Sequence, residues 1–363
     1  MTTRSRTSVI RILAAAAMCA AVAVGASGCS ATAGSADAAP AGAPATQLRL
    51  GYFDNVTHAP ALIGVHEGIF AKDLGKTALR TEQFNAGPAA VEALSAGAID
   101  AAFIGPSPAI NSFVASGGRS LRVVAGATNG GAALVVRAGI HSVDQLKGAT
   151  LATPQLGNTQ DVALRTFLRK NGLTSSIAGG GEVSITPTDN AQTLQLFKQG
   201  KLDGAWLPEP WVSRLVIEGG AHVLVDEKTQ WKNGAFPTTV LVVSTDFLTR
   251  HPATVARLVT AERDAVAWLK GHSSSDAVAA INAQLTADSG KALPADVVTR
   301  ALGEVTFSVD PLASTFPIQL KHAVDAQVSK KASLRGLFDL RQVNADLADD
   351  GSAKISVDGL GEG

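Results

Sequence analysis

Cysteine is almost missing from this chain: there are two among 363 residues, Cys19 and Cys29. Cys19 falls within an apolar N-terminal segment, so the folded part has no disulfide, CxxC pair or zinc cluster to assemble. Aromatic residues are scarce at 5%, with a single tyrosine, Tyr52, which leaves little material for stacking walls. An excess of one charge is lacking as well, since Lys and Arg number 31 and Asp and Glu also number 31. That balance gives no electrostatic footing for nucleic acid. The seven histidines (His58, His66, His141, His222, His251, His272 and His322) are scattered, and His66-Glu67 has no second histidine to complete HExxH. P-loop and dinucleotide glycine signatures are absent too. The expectation is a protein without metal or cofactor.

What is present begins with a targeting segment over residues 1–28. Arg4, Arg6 and Arg11 give it a positive start, and Ile12–Gly28 carries no charge. At 17 residues that stretch is at the short limit for spanning a bilayer. It closes on Ala26-Ser27-Gly28-Cys29, small residues followed by cysteine. This resembles a bacterial lipoprotein signal, although Ala26 stands where that pattern prefers Leu. Cys29 would then be the lipidated first residue of the mature chain; the alternative is an ordinary secretory signal cut near Ala26, and either reading places the protein outside the cytoplasm. Loss of the leader removes three arginines and no acid, so the balanced charge becomes −3. Residues 29–46 are rich in Ala, Gly, Pro and Ser and read as a flexible tether.

An internal repeat organises the rest. Leu94–Ala109, LSAGAIDAAFIGPSPA, is answered 103 residues later by Phe197–Trp211, FKQGKLDGAWLPEPW. Gly97 meets Gly200, Asp100 meets Asp203, Phe103 meets Trp206 and Ile104 meets Leu207. Each copy reads as a helix stopped by Gly, a turn, a short apolar strand and a Pro-rich loop. Ligands of open α/β sheets sit at the carboxyl ends of strands, so two such loops suggest two lobes facing one cleft.

Strands are expected at 48–52, 77–83, 100–104 and 121–127, with helices at 58–70, 88–96 and from Ser107, which would cap its helix ahead of Pro108. Right-handed crossovers would make this β-α-β-α-β-α-β stretch a parallel sheet. A strand at 132–137 reads as a first crossing between lobes. The second lobe alternates strands (150–153, 183–186, 203–207, 222–225) with helices (159–171, 191–199, 211–218). The β-rich run Phe236–Ser244 returns the chain, and helices follow at 251–270, 275–288, 295–304 and 315–330. The expected division is 47–133 with 240–345 for lobe 1, 134–239 for lobe 2, and a C-terminal tail at 346–363.

Catalysis fails a direct test. Gly105-Pro106-Ser107-Pro108-Ala109 mimics a G-x-S-x-G nucleophile elbow, but that elbow needs the N–H after Ser, and Pro108 has none. Ser107 suits a cap or ligand contact instead. Several polar loops open helices, namely Asp54–His58, Asn85–Pro88, Gly105–Ser107 and Leu156–Gln160, and Thr128-Asn129 is expected to follow the fourth strand. Helix N-termini aimed at one cleft bind an anion without a fixed Lys or Arg. Glu209 would repel an anion but suit an ammonium or ring N–H. Trp206 reads as core, like its partner Phe103, and Trp211 as a wall for an apolar tail.

On these residues the chain resembles the substrate-binding lipoproteins of ABC importers for nitrate, aliphatic sulfonates and taurine, across Leu48 to about Gln342. Gly51-Tyr52, His66–Phe70, Gly87–Ala89, Ala96–Asp100, Ser107–Ala109, Val143–Gly148 and Trp206–Trp211 carry the match. The resemblance implies a periplasmic-binding-protein type II fold, two α/β lobes with mostly parallel sheets joined by two crossing strands. It also implies a permease and an ATPase as partners, and no catalytic residue. Carried over residue by residue, the ligand-binding set is Asn85, Gly87, Ser107 and Thr128 from lobe 1, with Asn158, Thr159, Gln160, Glu209 and Trp211 from lobe 2; His58 joins it from its own place at the end of the first strand. The expected protein is a monomer anchored to the cell membrane through lipid on Cys29, delivering a small organic anion to the permease. Two alternatives stand beside it. Binders of thiamine precursors or other heterocycles use aromatic stacking, for which Tyr52 and Trp211 are the only candidates. Pyrimidine-precursor synthases of the same superfamily carry a Cys-rich iron segment that is absent here.

Overall fold

The computed structural model describes residues 42–363. The leader, Cys29 and all but the last five residues of the tether lie outside the described residues. Those five are laid along the fold: Gly42 N–H donates to the Arg250 carbonyl and Ala45 N–H to Thr254 Oγ1.

The chain opens β1 (Gln47–Tyr52), α1 (Ala59–His66), α2 (Ile69–Leu74), β2 (Ala78–Gln83), α3 (Gly87–Ser95), β3 (Ala101–Ile104), α4 (Pro106–Ala115) and β4 (Leu121–Gly130). It continues β5 (Ala132–Val136), β6 (Thr150–Thr153), α5 (Thr159–Lys170), β7 (Ser184–Pro187), α6 (Asn190–Lys198), β8 (Gly204–Pro208), α7 (Trp211–Gly219) and β9 (His222–Asp226). After β10 (Pro237–Ser244) come α8 (Thr245–Arg250), α9 (Pro252–Gly271), α10 (Ser274–Ser289) and α11 (Ala295–Gly303). The end comprises β11 (Val305–Phe307), α12 (Phe316–Asp325), β12 (Phe338–Asp339), α13 (Arg341–Asp349) and β13 (Gly361–Glu362).

Two sheets result. The larger runs β13-β12-β4-β10-β3-β1-β2, with β11 also paired to β4; the smaller runs β7-β6-β8-β5-β9. Strands β1, β2 and β3 pair in parallel, as do β6, β7 and β8, and β4 and β9 run in the same directions. Against them run β10, between β3 and β4, and β5, between β8 and β9; the short β11 is also antiparallel to β4. Both sheets are therefore mixed and mostly parallel, as the resemblance implied, with the crossing strands β10 and β5 running against their neighbours. The returning strand β10 lies between β3 and β4.

The repeat persists down to single hydrogen bonds. Asp100 N–H donates to the Arg49 carbonyl (2.9 Å), and its Oδ2 accepts from Arg49 N–H (2.8 Å). Asp203 does the same with Thr150, at 2.8 and 2.7 Å. The Asp100 carbonyl accepts from Ser244 N–H at the end of β10, and the Asp203 carbonyl from Arg137 N–H at the end of β5. An arginine closes each clamp, Arg49 at 2.6 Å from Asp100 and Arg137 at 3.1 Å from Asp203. The shared Gly-x-aliphatic-Asp turn thus fixes strand register in both halves through charge-assisted bonds to backbone. Strand alternation sets the cores. Trp206 faces one side of the smaller sheet with Leu134 and Phe167, while Ala205 and Leu207 face the other. Phe103, its counterpart, stacks on Phe70 in the core of the larger half, and both Phe103 and Trp206 are fully buried.

Local departures from expectation have local causes. The helix expected over 58–70 is broken into α1 and α2 at Gly68, whose φ of 68° leaves the right-handed region. Helix α4 begins at Pro106 with Gly105 as its cap, not at Ser107. Pro106 already has the φ of a first helical residue, so the helix starts a turn position earlier. Strand β4 runs on to Gly130 because β10 and β11 pair with its end, which removes Thr128-Asn129 from the loops. The chain passes between the sheets at Gly131 and again between Asp226 and Pro237. The expected divisions at 133/134 and 239/240 fall just inside β5 and β10. In the stretch expected as a tail, Gly361 and Glu362 pair in parallel with Phe338 and Asp339 at the sheet edge.

Candidate functional site

The two halves are in direct contact. Gly105 lies so close to the smaller half that a Cβ built there would stand 2.3 Å from Thr159 Oγ1. Ser107 N–H donates to the same Oγ1 at 3.4 Å, and Asn111 Nδ2 to the Gly157 carbonyl at 3.5 Å. Trp211 Nε1 donates to Asn55 Oδ1 at 2.8 Å, and Arg169 pairs with Asp325 at 2.6 Å. Between these contacts lies a cavity of about 20 Å³, room for a single water.

Its walls come from both halves. Phe53, Asn55, Thr57, His58, Asn85, Gly105 and Thr238 line it from one side, and Pro154, Asn158, Gln160, Asn190 and Pro208 from the other. Five helices of eight or more residues begin there: α1 after His58, α3 after Ala86, α4 after Gly105, α5 after Asn158 and α6 after Asp189. Their first N–H groups have no partner within their own helix and carry partial positive charge. Side-chain carboxamides supply most of the remaining polarity. Among the described residues no Lys or Arg lines the cavity. His58 does not act as one, because burial pushes its pKa down to about 3 and keeps it neutral. Its Nδ1 accepts from Phe53 N–H, and its ring lies 4.2 Å from that of Phe53.

Of the residues expected to bind ligand, the structure brings together four on the cavity wall: His58, Asn85, Asn158 and Gln160. Ser107 and Thr159 are buried beside it, joined across the closed lips. Gly87 opens α3 but faces Pro108, whose Cγ would stand 2.3 Å from an added Cβ. Three others lie elsewhere. Thr128 is fully buried within β4, paired with Thr239 and Phe307, and its hydroxyl has no partner. Trp211 is absent from the cavity wall; its indole N–H donates to Asn55 across the crevice, and the Arg214 guanidinium lies 4.7 Å from its ring.

Glu209 turns away from the cavity. Its Oε1 accepts from Arg300 Nη1 and its Oε2 from Ser213 N–H, each at 3.0 Å. Burial raises its pKa to about 7 against the pull of those partners. It lines a different cavity, of about 190 Å³, with Gly131, Asp226, Arg300 and Glu304. Its neighbour Pro208 takes the place on the central wall. Sequence reasoning placed the loops at Asp54–His58 and Gly105–Ser107 but passed over Asn55, Thr57, Thr238 and Asn190. The last had a signal: Asn190 stands 103 residues after Gly87, at the start of the equivalent helix. Among the described residues, no three His, Cys, Asp or Glu are grouped to hold a metal ion.

Two α/β halves with helix N-termini gathered on one crevice make up a two-lobed fold, that of the periplasmic binding proteins. Solved structures of that class superpose on the chain. The alkanesulfonate-binding protein SsuA from Xanthomonas axonopodis pv. citri, bound to MOPS, matches with a TM-score of 0.66 at 23% identity, over 80% of this chain and 96% of that one. The periplasmic nitrate-binding protein NrtA from Synechocystis PCC 6803 matches at 0.64 and 16%, over 77% and 81%. At such identities these likenesses establish the fold. The chain belongs to the NMT1-like family, whose model matches residues 41–285. Among curated relatives, the taurine-binding periplasmic protein of Escherichia coli (strain K12) is 27% identical over 206 residues, 57% of this chain and 62% of that one. The chain spans less than two thirds of the length of the curated relatives it matches.

Proposed function

We propose that this protein is the solute-binding component of an ABC importer. It works outside the cytoplasm, closes two lobes on a small organic anion of the aliphatic sulfonate or taurine type, and presents it to a membrane permease served by an ATPase. The observation that carries this reading is the convergence of five helix N-termini, drawn from both halves, on one closed and amide-lined cavity. Such a site neutralises an anion by oriented N–H groups and needs no fixed cation. The relatives that bind taurine, alkanesulfonate or nitrate lend the reading its ligand class.

Residues 47–133 with 240–345, and residues 134–239, would move as the two bodies, with solute entering while they stand apart. The chain would act as a monomer, held to the membrane by lipid on Cys29, its leader removed, and residues 29–46 serving as tether. It would perform no chemistry on its cargo. Among the described residues no helix is long and apolar enough to cross a membrane. The heterocycle alternative gains no support from the site, since Tyr52 is fully buried and Trp211 is engaged with Asn55. Calorimetry with alkanesulfonates, taurine, nitrate and thiamine precursors tests the proposal. Binding of a sulfonate, weakened by Ser107→Ala and Thr159→Ala, is expected; a panel in which only a heterocycle or cation binds would reject the ligand class.

A further inference from the structure

Among the polar residues on the cavity wall, Asn190 is the one whose side-chain oxygen is sealed from solvent and has no hydrogen-bond partner among the described residues. The residue is 5% exposed. It opens α6 yet does not cap it; Asp189 does, accepting from Ala191 N–H at 2.9 Å and Gln192 N–H at 3.4 Å. Three other wall residues use side-chain polar atoms within the protein. Asn55 Oδ1 holds Trp211, Asn158 Oδ1 takes Thr159 N–H, and the Thr238 hydroxyl donates to the Gly130 carbonyl. A buried acceptor left unpaired costs about 1–3 kcal/mol. It has no structural task here, and its residue lines the cavity where a solute would lie.

Its chemistry differs from that of its surroundings. The helix ends around it present N–H donors, which suit an acidic group. Asn190 Oδ1 is an acceptor and would repel that group. We propose that Asn190 is a specificity residue that accepts a hydrogen bond from the solute, so that the preferred cargo carries an ammonium or amide N–H as well as its acidic group. This rests on the solute-binding reading above and narrows it: the cargo is bipolar, and a simple inorganic anion or unsubstituted alkanesulfonate leaves Asn190 unpaired.

The test compares 2-aminoethanesulfonate with ethanesulfonate, which lacks only the amine, by calorimetry on the full chain. Wild type is expected to bind the amino compound at least about tenfold more tightly, the discrimination of a site whose buried polar group is otherwise stranded. Asn190→Leu should bring the two within about twofold by weakening the amino compound alone, whereas Asn190→Asp, which keeps an acceptor, should retain the preference. Should Asn190→Leu lower the melting temperature, Asn190→Ala gives the same comparison without the added bulk. Equal binding of both compounds by wild type, or loss of the preference in Asn190→Asp, overturns the assignment while the importer reading stands. Binding of neither compound overturns both.

Discussion

The substitution Gly105→Ala isolates closure from folding. Gly105 caps α4 with φ −69° and ψ 155°, angles that alanine adopts without strain. Within its own half, the nearest atom to the new methyl is the Thr238 carbonyl oxygen at 3.6 Å, an ordinary contact. Across the cleft the methyl would stand 2.3 Å from Thr159 Oγ1. Relief to a normal separation requires the lips to part by about 1 Å, and overpacking of this kind costs about 1–3 kcal/mol. Since the clash exists only when the lobes are shut, the cost falls on ligand binding, a loss of about 5- to 150-fold in affinity. The assay is calorimetry with whichever sulfonate binds wild type best, accompanied by small-angle scattering and by the melting temperature without ligand. Thr159→Ala supplies the control. It removes Oγ1 and leaves Cβ 3.4 Å from the new methyl, so the penalty of Gly105→Ala should vanish in that background. Wild-type affinity in Gly105→Ala, or a penalty that persists beside Thr159→Ala, would refute the reasoning that these two residues meet on closure.

Glu262 is fully buried, neither of its oxygens has a partner, and burial holds its pKa well above the usual carboxylate range. Glu262→Leu should therefore stabilise the fold by about 1–3 kcal/mol. The gain should grow as pH rises past the unfolded value, because the unfolded wild-type chain ionises there while the fold resists; a lower melting temperature at pH 7 contradicts this. His58 has the opposite sign. Its folded pKa of about 3 against 6.5 unfolded means that stability falls as pH drops from 6.5 toward 3, by up to about 1.4 kcal/mol per pH unit, and His58→Asn should flatten that part of the acid-unfolding profile. Asp100→Asn and Asp203→Asn should each cost about 1–2 kcal/mol in denaturant melts and leave solute affinity within twofold or so, since both clamps sit at the strand starts away from the cavity. A loss of affinity with unchanged stability would reject the structural role of the repeat.

The sequence made the two-half plan legible because its evidence is local. The Gly-x-aliphatic-Asp turn, the apolar strand after it and the Pro-bearing loop are all encoded within 15 consecutive residues of each copy. What stayed hidden depends on partners far along the chain. Whether β4 stops at Ala127 or runs to Gly130 is decided by β10 and β11, more than 100 residues away. The direction in which Glu209 points is set by Arg300 on α11, which no pattern around Glu209 announces. The bond from the Trp211 indole N–H to Asn55 joins residues 156 apart, and no local pattern announces it. By contrast Asn190 was within reach, since the offset that pairs Asp100 with Asp203 also pairs Gly87 with Asn190 and Gly105 with Pro208. Following the repeat into its loops would have found two more wall residues.

That symmetry also bears on how closure would be powered. Each half carries its own aspartate clamp and its own buried core, so neither needs the other to hold its strands in register. What joins them in the closed form includes neutral hydrogen bonds at Thr159, Asn111, Trp211 and Thr57, the half-exposed pairs Arg169–Asp325 and Lys228–Glu304, and Arg300 on Glu209 and Ser213. Neutral bonds of this sort contribute about 1 kcal/mol each at most, and the exposed pairs less. Against them stand five helix N-termini, of which only α5 and α6 are capped by a side chain, and the unpaired Asn190 oxygen, around a space that holds one water. On the proposed reading the closed form is therefore poor company for an empty site. A solute that satisfies those groups supplies the missing term, which makes closure a report of occupancy and explains why the cavity walls are polar but uncharged.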